Sequence, residues 1–521
     1  MPDDVSHPGV FIEESPAGHP IAGVATSTTA FLGQAAMGPT DKPVSVFDLT
    51  DFIDQFGPLD LNYPMGFAVR DFFANGGSQA VIVRLYENPS VGNPAAVLKA
   101  GTVHPVTLVA TSPGDWANSL EAQVKHDGDA GVATDLGLTT DDLFSLRVRA
   151  RPGGPQEKFL NLTVKDTARR VDRVLARESA LVRIADPDAL VEPPGESVDG
   201  TGTATWDHVQ PTDVGHPSAP LDLAAYAGDR AARTGKYQLA HVDLVNLVCV
   251  SANTLDHSVP APVYRDILDY CVERRAFLLV DAPADWTRAD LTDRLSQFQS
   301  IETAARNAAV FYPRLLQKNP LRGNQIEPFA PCGAVAGVIA RTDATRGVWK
   351  APAGADASLA GVVGLSENLS DAQAGPLNQH GINVIRTFPT VGPVVWGART
   401  MRGADVNADE FKYIPVRRTA LFIEESLQRG LQWAMFEPND EPLWAQIRLT
   451  VGAFMNDLFR KGAFQGQTER DAYFVNCGRQ TTTDDDIDNG VLNVVVGFAP
   501  LRPAEFVILQ LQLIAGQKGP P

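Results

Sequence analysis

The sequence has few cysteines, and their positions exclude two classes of protein. Its 521 residues contain four, namely Cys249, Cys271, Cys332 and Cys477, which lie far apart and share no metal-like spacing. Three of them lie in apolar runs, where a free thiol behaves as a small buried hydrophobe. We therefore expect buried thiols in a reducing compartment, and neither a disulfide framework nor a cysteine-based metal centre.

Positive charge and long apolar runs are also scarce. There are 44 Lys and Arg against 62 Asp and Glu, a net charge of −18, and phosphate recognition needs clustered basic side chains. No apolar run approaches the ~20 residues of a transmembrane helix, and residues 1–10 do not resemble a secretory signal. We expect no nucleic-acid partner and no direct membrane insertion.

A phosphate-binding loop is only superficially present. Six residues separate Gly228 from Gly235, where the loop needs four, and Tyr237 follows Lys236 in place of Ser or Thr. The pattern predicts a helix end or turn, and no nucleotide cofactor.

The sequence motifs of a calcium-binding loop and of common catalytic sites are also incomplete or absent. Asp484, Asp486 and Asp488 alternate like calcium ligands, but Asn489 and Val495 replace the required Gly and Glu. A solvated acidic turn is the better interpretation. The nine histidines form no HExxH pair, and no G-x-S-x-G elbow occurs. We predict no catalytic, cofactor-binding or metal residues, and no enzymatic activity.

Two stretches of the chain alternate helix-like and strand-like patterns, as in a layered α/β core. The predicted helices cover residues 48–56, 65–75, 263–275 and 291–308. The predicted strands cover residues 30–33, 80–85, 242–250, 277–280 and 309–312. Between the two stretches, residues 93–235 are rich in Gly, Pro, Asp and Thr, which predicts an inserted, surface-exposed β-rich domain.

The last part of the chain predicts an assembly domain. Two helical stretches, joined by a turn at 438–440, precede three apolar segments. The last segment, 506–514, is almost wholly apolar, as in a strand interior to a sheet, yet a chain end is usually loose unless it is tied down. The strand would satisfy both conditions by completing a sheet in a neighbouring subunit, with these residues in it: Phe506, Ile508, Leu509, Leu511 and Leu513.

Specific residues of this stretch resemble the C-terminal domain of contractile tail sheath proteins, found in phage tails, R-type pyocins and extracellular contractile injection systems. The matching residues, in order, are Arg417-Arg418, Trp433 to Asn439, Trp444, Phe459-x-x-Gly462-Ala463, Val475-Asn476-Cys477, Asp484 to Asp488, Gly490, and Ala499-Pro500-x-x-Pro503-Ala504-Glu505-Phe506. A second match lies near the other terminus, at Pro8 to Glu14, Gly23 to Ser27 and Ala30 to Gly33.

The resemblance implies a structural subunit that stacks as hexameric rings or a helical polymer around an inner tube. Its contraction would drive the tube through a target envelope. The implied partners are other copies of the chain, the tube, and baseplate and terminal cap proteins, with assembly in the bacterial cytoplasm and release by lysis. A static tube or capsid component is the alternative, and an enzyme embedded in a phage particle is a more distant one.

The resemblance also implies inter-subunit contacts. An N-terminal arm would pair with a neighbour through Val10, Phe11, Ile12, Glu13 and Glu14. The second C-terminal helix, 443–461, would present Arg448, Arg460 and Lys461 to the tube. Alternatively, these charges are solvated and the apolar residues of the helix pack the domain core, namely Ile447, Val451, Phe454, Met455 and Leu458. In that case the helix from 417 to 433 is another candidate for the tube contact.

The expected fold is therefore multidomain, of the α/β and α+β classes. A layered α/β core carries the inserted β-rich domain, and a C-terminal α+β assembly domain has strand-exchanging terminal arms. The predicted boundaries are 1–22 for the inter-subunit arm, 23–92 and 236–405 for the core, 93–235 for the insert and 406–521 for the assembly domain.

Overall fold

The structure is a computed structural model that describes residues 19–89, 93–151, 156–286 and 303–505. The chain divides into two compact units. We call 27–341 and 353–409 the core unit, and we call the described residues 19–26, 342–352 and 410–505 the terminal unit. The boundaries predicted from the sequence are finer than this division and stay predictions.

The core unit begins with an α/β stretch. Its elements are β1 (Thr29–Gly33), β2 (Val44–Val46), α1 (Leu49–Phe56), α2 (Met65–Ala74) and β3 (Ala80–Arg84). Every residue of β1 and β3 is buried, as expected for strands of a parallel sheet covered on both faces. Helix α1 begins after Asp48, whose carboxylate accepts a hydrogen bond from the Asp51 backbone N–H and so satisfies a free helix donor.

A β-rich stretch follows within the core unit. Its elements are β4 (Val97–Ala100), β5 (Val106–Ala110), β6 (Glu121–Lys125), α3 (Ala130–Leu136), β7 (Phe144–Arg149), β8 (Gln156–Leu162), α4 (Val171–Glu178), β9 (Val182–Ile184) and β10 (Asp207–His208). They form a four-stranded sheet, β10-β6-β7-β8, and a three-stranded sheet, β4-β5-β9. Leu98, Leu108, Val124 and Phe144 belong to a separate buried cluster, so this stretch has a hydrophobic core of its own.

The α/β pattern then resumes. The elements are α5 (Leu223–Ala227), β11 (Leu247–Val250), α6 (Ala261–Glu273), β12 (Phe277–Asp281), β13 (Ala308–Tyr312), β14 (Leu315–Asn319), β15 (Gln325–Phe329), α7 (Cys332–Arg346), β16 (Val362–Leu365), α8 (Asp371–Gln379), β17 (Ile382–Phe388) and β18 (Gly392–Val395). The main sheet has eight strands in the order β18-β17-β13-β12-β11-β1-β3-β2. Neighbours from β17 to β3 are parallel, and β18 and β2 pair antiparallel at its two ends.

The terminal unit combines helices with a small sheet. Its elements after residue 410 are α9 (Ile414–Gly430), α10 (Glu441–Arg460), α11 (Glu469–Ala472), β19 (Tyr473–Cys477), α12 (Asp484–Asp488) and β20 (Val494–Phe498). Helix α10 begins after Asp440, whose side chain accepts from the Leu443 N–H. Its buried face, together with Ile423 of α9, forms the core of this unit.

The observed fold confirms the predicted class, a multidomain mixture of α/β and α+β parts. The predicted strand 242–250 was too long, because β11 begins only at Leu247. Arg274 Nη2 donates to the carbonyl oxygens of Val242 and Asp243, which lie in a loop. Burial of Val245 explains the apolar pattern there without a strand.

Two further expectations need correction. The helix predicted for 291–308 does not extend to residue 308, because residues 303–307 form a 3-10 turn and Ala308 is the first residue of β13. Residues 291–302 lie outside the described residues. The acidic turn is a short helix, α12. It begins after Thr483, whose hydroxyl accepts from the Asp486 N–H while the Asp486 carboxylate accepts from the Thr483 N–H.

Candidate assembly site

Strands β19 and β20 form a two-stranded antiparallel ribbon in the terminal unit. The register pairs Tyr473 with Phe498 and Cys477 with Val494. Within the described residues no third strand joins this ribbon, so each strand has one edge whose main-chain groups have no strand partner. An isolated two-stranded ribbon is marginally stable in water, and its open edges are templates for further strands.

The two faces of the ribbon differ in burial. Cys477 faces inward and is buried, with half-buried neighbours such as Val475 and Val496. On the outward face, Phe474 is 51% exposed and Val495 is 45% exposed. Exposed aromatic and β-branched side chains beside open strand edges are typical of a surface that pairs with another segment.

Helix α10 supports the inward face of the ribbon. The apolar residues that the sequence singled out on this helix are all buried in the core of the unit: Ile447, Val451, Phe454, Met455 and Leu458. This part of the alternative interpretation is therefore correct. It leaves the opposite face of the helix for contacts outside the unit.

The structure does not bring the three predicted tube-contact residues together. Arg448 donates to Glu441, with 2.5 Å between Nη2 and Oε1, and also to the carbonyl oxygen of Cys477. It therefore braces β19 against α10. Arg460 and Lys461 lie near the other end of the helix, about 18 Å away at 1.5 Å per residue. Lys461 Nζ lies 2.7 Å from Asp457 Oδ2.

The outward face of α10 contains an apolar residue that the sequence reasoning missed. Leu449 is 73% exposed, and Ala445, Ala453 and Arg460 lie exposed at helical spacing around it. The spacing of the apolar residues along the helix indicates which side is buried. The sequence could therefore have shown that Leu449 lies on the outward side.

The predicted terminal pairing segments lie outside the described residues. These are Val10, Phe11, Ile12, Glu13 and Glu14 at one end, and Phe506, Ile508, Leu509, Leu511 and Leu513 at the other. The described chain next to both segments belongs to the terminal unit. At the C-terminal side, Tyr413 Oη donates to Glu505 Oε2 over 3.2 Å.

The resemblance to a phosphate loop has a structural explanation. A Cβ atom on Gly228 would lie 2.0 Å from the Thr234 carbonyl oxygen, so the turn is filled by its own backbone. The Lys236 ammonium group is buried, with Nζ 2.5 Å from Asp266 Oδ2. These residues form the predicted helix end and turn.

In α/β proteins a catalytic site usually lies at the carboxyl ends of the parallel strands. Here the thiols of Cys249 and Cys332 meet near Asp281. The hydrogen bond with Cys249, together with burial, raises the pKa of the Cys332 thiol well above its usual range. A thiol held in its protonated form is a poor nucleophile.

In the described part of the chain, no group of three or more His, Cys, Asp or Glu is placed to hold a metal ion. No helix among the same residues is long and apolar enough to cross a membrane.

Comparison with known proteins gives consistent matches. The family model for the phage tail sheath protein central domain matches residues 260–401, and the model for the phage tail sheath C-terminal domain matches residues 406–514. Residues 260–401 and 406–514 therefore belong to domains of the phage tail sheath family. The C-terminal match contains the ribbon, helix α10 and the apolar segment after residue 505, so the candidate assembly site lies in a region typical of sheath proteins.

Individual relatives agree with the family models. The tail sheath protein of Burkholderia phage BcepMu is 23% identical over 468 residues, which cover 87% of each chain. The contracted sheath of the extracellular contractile injection system PVC has a TM-score of 0.57 at 21% identity, covering 98% of each chain. The sheath tail protein from Listeria innocua has a TM-score of 0.59 at 14% identity, covering 92% of this chain and 97% of that one. These structural matches show a sheath fold.

Proposed function

We propose that this chain is the structural subunit of a contractile tail sheath, which polymerises around an inner tube and contracts to drive the tube through a target envelope. Family membership supports the proposal, and the β19–β20 ribbon is the structural observation that carries it. Among the described residues the ribbon has open edges, and the sequence has apolar segments before residue 19 and after residue 505. Strands donated by neighbouring copies would link subunits through main-chain hydrogen bonds.

Such links allow the subunits to change their packing without separating. Contraction requires two arrangements of the same subunits that differ in free energy, and it needs no bound nucleotide if that energy is stored at assembly. The chain would therefore act without catalysis. Its partners would be further copies in hexameric rings or a helical polymer, the inner tube, the baseplate and a terminal cap, with assembly in the bacterial cytoplasm and release by lysis.

Removing residues 1–15 tests the N-terminal link. We expect a folded, soluble subunit that fails to form continuous sheaths, because the ribbon edge loses the strand donated by its neighbour. Electron microscopy of the wild-type and truncated chains, each expressed with the tube protein, measures sheath length. Normal contractile sheaths from the truncated chain would contradict the proposed arm.

A charge on the C-terminal apolar segment tests the second link. In a strand, Leu511 and Leu513 share one face and Gln512 lies on the other. We expect Leu511→Asp or Leu513→Lys to prevent polymerisation, because a charge on a buried strand face is unfavourable. Gln512→Lys is the matched control and should assemble. Normal assembly of all three variants would exclude a buried strand.

The morphology of the wild-type particles tests the function as a whole. Wide, ridged, hollow cylinders with both long and shortened forms are expected for a contractile sheath. Smooth, narrow cylinders of one form would instead indicate a static tube. Dispersed protein with catalytic turnover would indicate an enzyme.

A further inference from the structure

Residues 19–26 lie along helix α9 and run in the opposite direction to it. Arg418 Nη2 donates to the Thr26 carbonyl oxygen over 2.8 Å, and the Val24 N–H donates to Ser426 Oγ over 3.2 Å. Just beyond the helix, the His19 ring stacks on Trp433 with 4.6 Å between centroids. We call residues 19–26 the strap. It directly follows residues 1–18, which contain the proposed N-terminal arm.

Two glycines allow the strap to approach the helix closely. A Cβ atom on Gly430 would lie 2.6 Å from Ile21 Cγ1, and a Cβ atom on Gly23 would lie 2.8 Å from Phe422 Cζ. Contacts this short require displacement of one partner. The close fit therefore depends on the absence of a side chain at both positions.

A buried ion pair fixes the strap at its other end. The Arg418 guanidinium binds Asp343 through two hydrogen bonds, of 2.8 Å from Nη1 to Oδ1 and 2.6 Å from Nη2 to Oδ2. The two side chains are 4% and 3% exposed. Breaking a buried pair leaves an uncompensated charge and is strongly destabilising. Because the same guanidinium also holds Thr26, the strap, α9 and residues 342–352 are joined at one point.

We propose that the strap is a permanent anchor for the N-terminal arm, positioned by Arg418, Asp343 and Gly430, and that it stays seated on α9 while the sheath assembles and contracts. This inference rests on the proposed sheath function. If the eight residues of the strap were released, the linker between subunits would gain about 27 Å of reach, at up to 3.3–3.6 Å per residue. A seated strap keeps the linker short, so that movement of one subunit pulls directly on the next.

A reversible cross-link tests the proposal. A Cβ atom on Gly430 would lie 3.0 Å from Ile21 Cβ, so the strap must move by only about 0.5 Å to reach the roughly 3.5–4.5 Å that separates the Cβ atoms of a disulfide. In the Ile21→Cys/Gly430→Cys variant, we expect the disulfide to form in the free subunit. We expect oxidised and reduced sheaths to assemble and to contract to the same final length.

Three outcomes would overturn the anchor. They are failure of the disulfide to form in a folded subunit, assembly only when reduced, and assembly of oxidised sheaths that stay extended while reduced ones contract. If wild-type protein forms no contractile sheath, the proposed function fails. The seating of the strap is still tested in the subunit by disulfide formation.

A second variant avoids introducing cysteine. Gly430→Ala places a Cβ against Ile21, so we expect hydrogen exchange of the Val24 amide to accelerate about tenfold or more. Gly375→Ala is the matched control, because it is also a helical glycine but its Cβ would meet nothing within 4 Å. Unchanged protection of Val24 in the Gly430 variant would show that the glycine does not position the strap.

Discussion

Asp281 holds its carboxyl group inside the core unit, at the end of β12. Its Oδ1 accepts a hydrogen bond of 2.8 Å from the Cys332 backbone N–H, at the start of α7. Burial raises the pKa of this carboxyl group from 3.8 to about 6, and the hydrogen bonds with Cys332 offset only part of the rise. Folding therefore favours the protonated form of Asp281.

The substitution Asp281→Asn should remove this pH dependence from the stability of the subunit. Because the folded pKa is the higher one, the stability contributed by the carboxyl group is fully present below pH 3.8 and is lost as the pH rises through about 6. The amide still accepts from Cys332 but cannot ionise. The variant should gain up to about 3 kcal/mol of unfolding free energy relative to wild type between roughly pH 4 and pH 8.

Thermal unfolding of the wild type and the Asp281→Asn variant at roughly pH 4 and pH 8 measures this gain. The same difference between variant and wild type at both pH values would contradict it.

Single residues were predictable where local sequence determines their surroundings. All four cysteines are buried free thiols, as expected, and for three of them the apolar runs in which they lie were the signal. The role of Arg448 was not predictable, because it depends on the Cys477 carbonyl group, 29 residues away. The hydrogen bond between Asp281 and Cys332, 51 residues away, could not be predicted from the sequence either.

Among the helices, α10 has two faces with different roles. One face packs the core of the terminal unit, and the other exposes Leu449 and Arg460. We propose this outward face as the contact with the inner tube. Of the three residues predicted to contact the tube, Arg460 and Lys461 remain candidates, whereas Arg448 is engaged within the unit.

Charge reversal on this face tests the contact. We expect Arg460→Glu/Lys461→Glu to polymerise but to bind the tube more weakly, by about 1 kcal/mol per charge. The binding of wild type should also weaken as salt screens the charges. Arg470→Glu/Arg479→Glu makes the same charge change at exposed positions elsewhere in the unit and should bind normally. Equal co-sedimentation of both double variants with tube would exclude this surface.

Elements with strong periodicity were predicted well. The buried runs of β1 and β3 and the amphipathic pattern of α1 give the right element in nearly the right place. The run before β11 was misjudged, because apolar residues in a buried loop and in a strand look alike in sequence. The open edges of the ribbon depend on which strands pair, and local pattern does not contain that information.

In the whole molecule, the β-rich stretch is predicted to face outward from the particle. Its segment 185–220 has little regular structure, and Val191 within it is 70% exposed. Thermolysin, which cleaves at apolar residues, should therefore cut assembled sheath first within this segment and leave the particles intact.

Trypsin is the control, because no Lys or Arg occurs between residues 184 and 229. Mass spectrometry of the fragments locates the cuts. Protection of 185–220 from thermolysin in the particle, with cleavage elsewhere, would place this segment at an interface.

The grouping of distant segments into the terminal unit was beyond sequence reasoning. Arg418 and Thr26 both belong to motifs that resemble sheath proteins, but their hydrogen bond spans 392 positions. Asp343 lies in a helix whose earlier residues belong to the core unit. Contacts of this range leave no periodic signal.

This arrangement of the terminal unit also has a consequence during synthesis. The Val24 N–H donates a hydrogen bond to Ser426, which is synthesised 402 residues later. At about 5–20 residues per second, a ribosome needs roughly 20 to 80 seconds to cover that distance. A nascent chain therefore lacks the complete terminal unit until Ser426 and the elements after it have been synthesised.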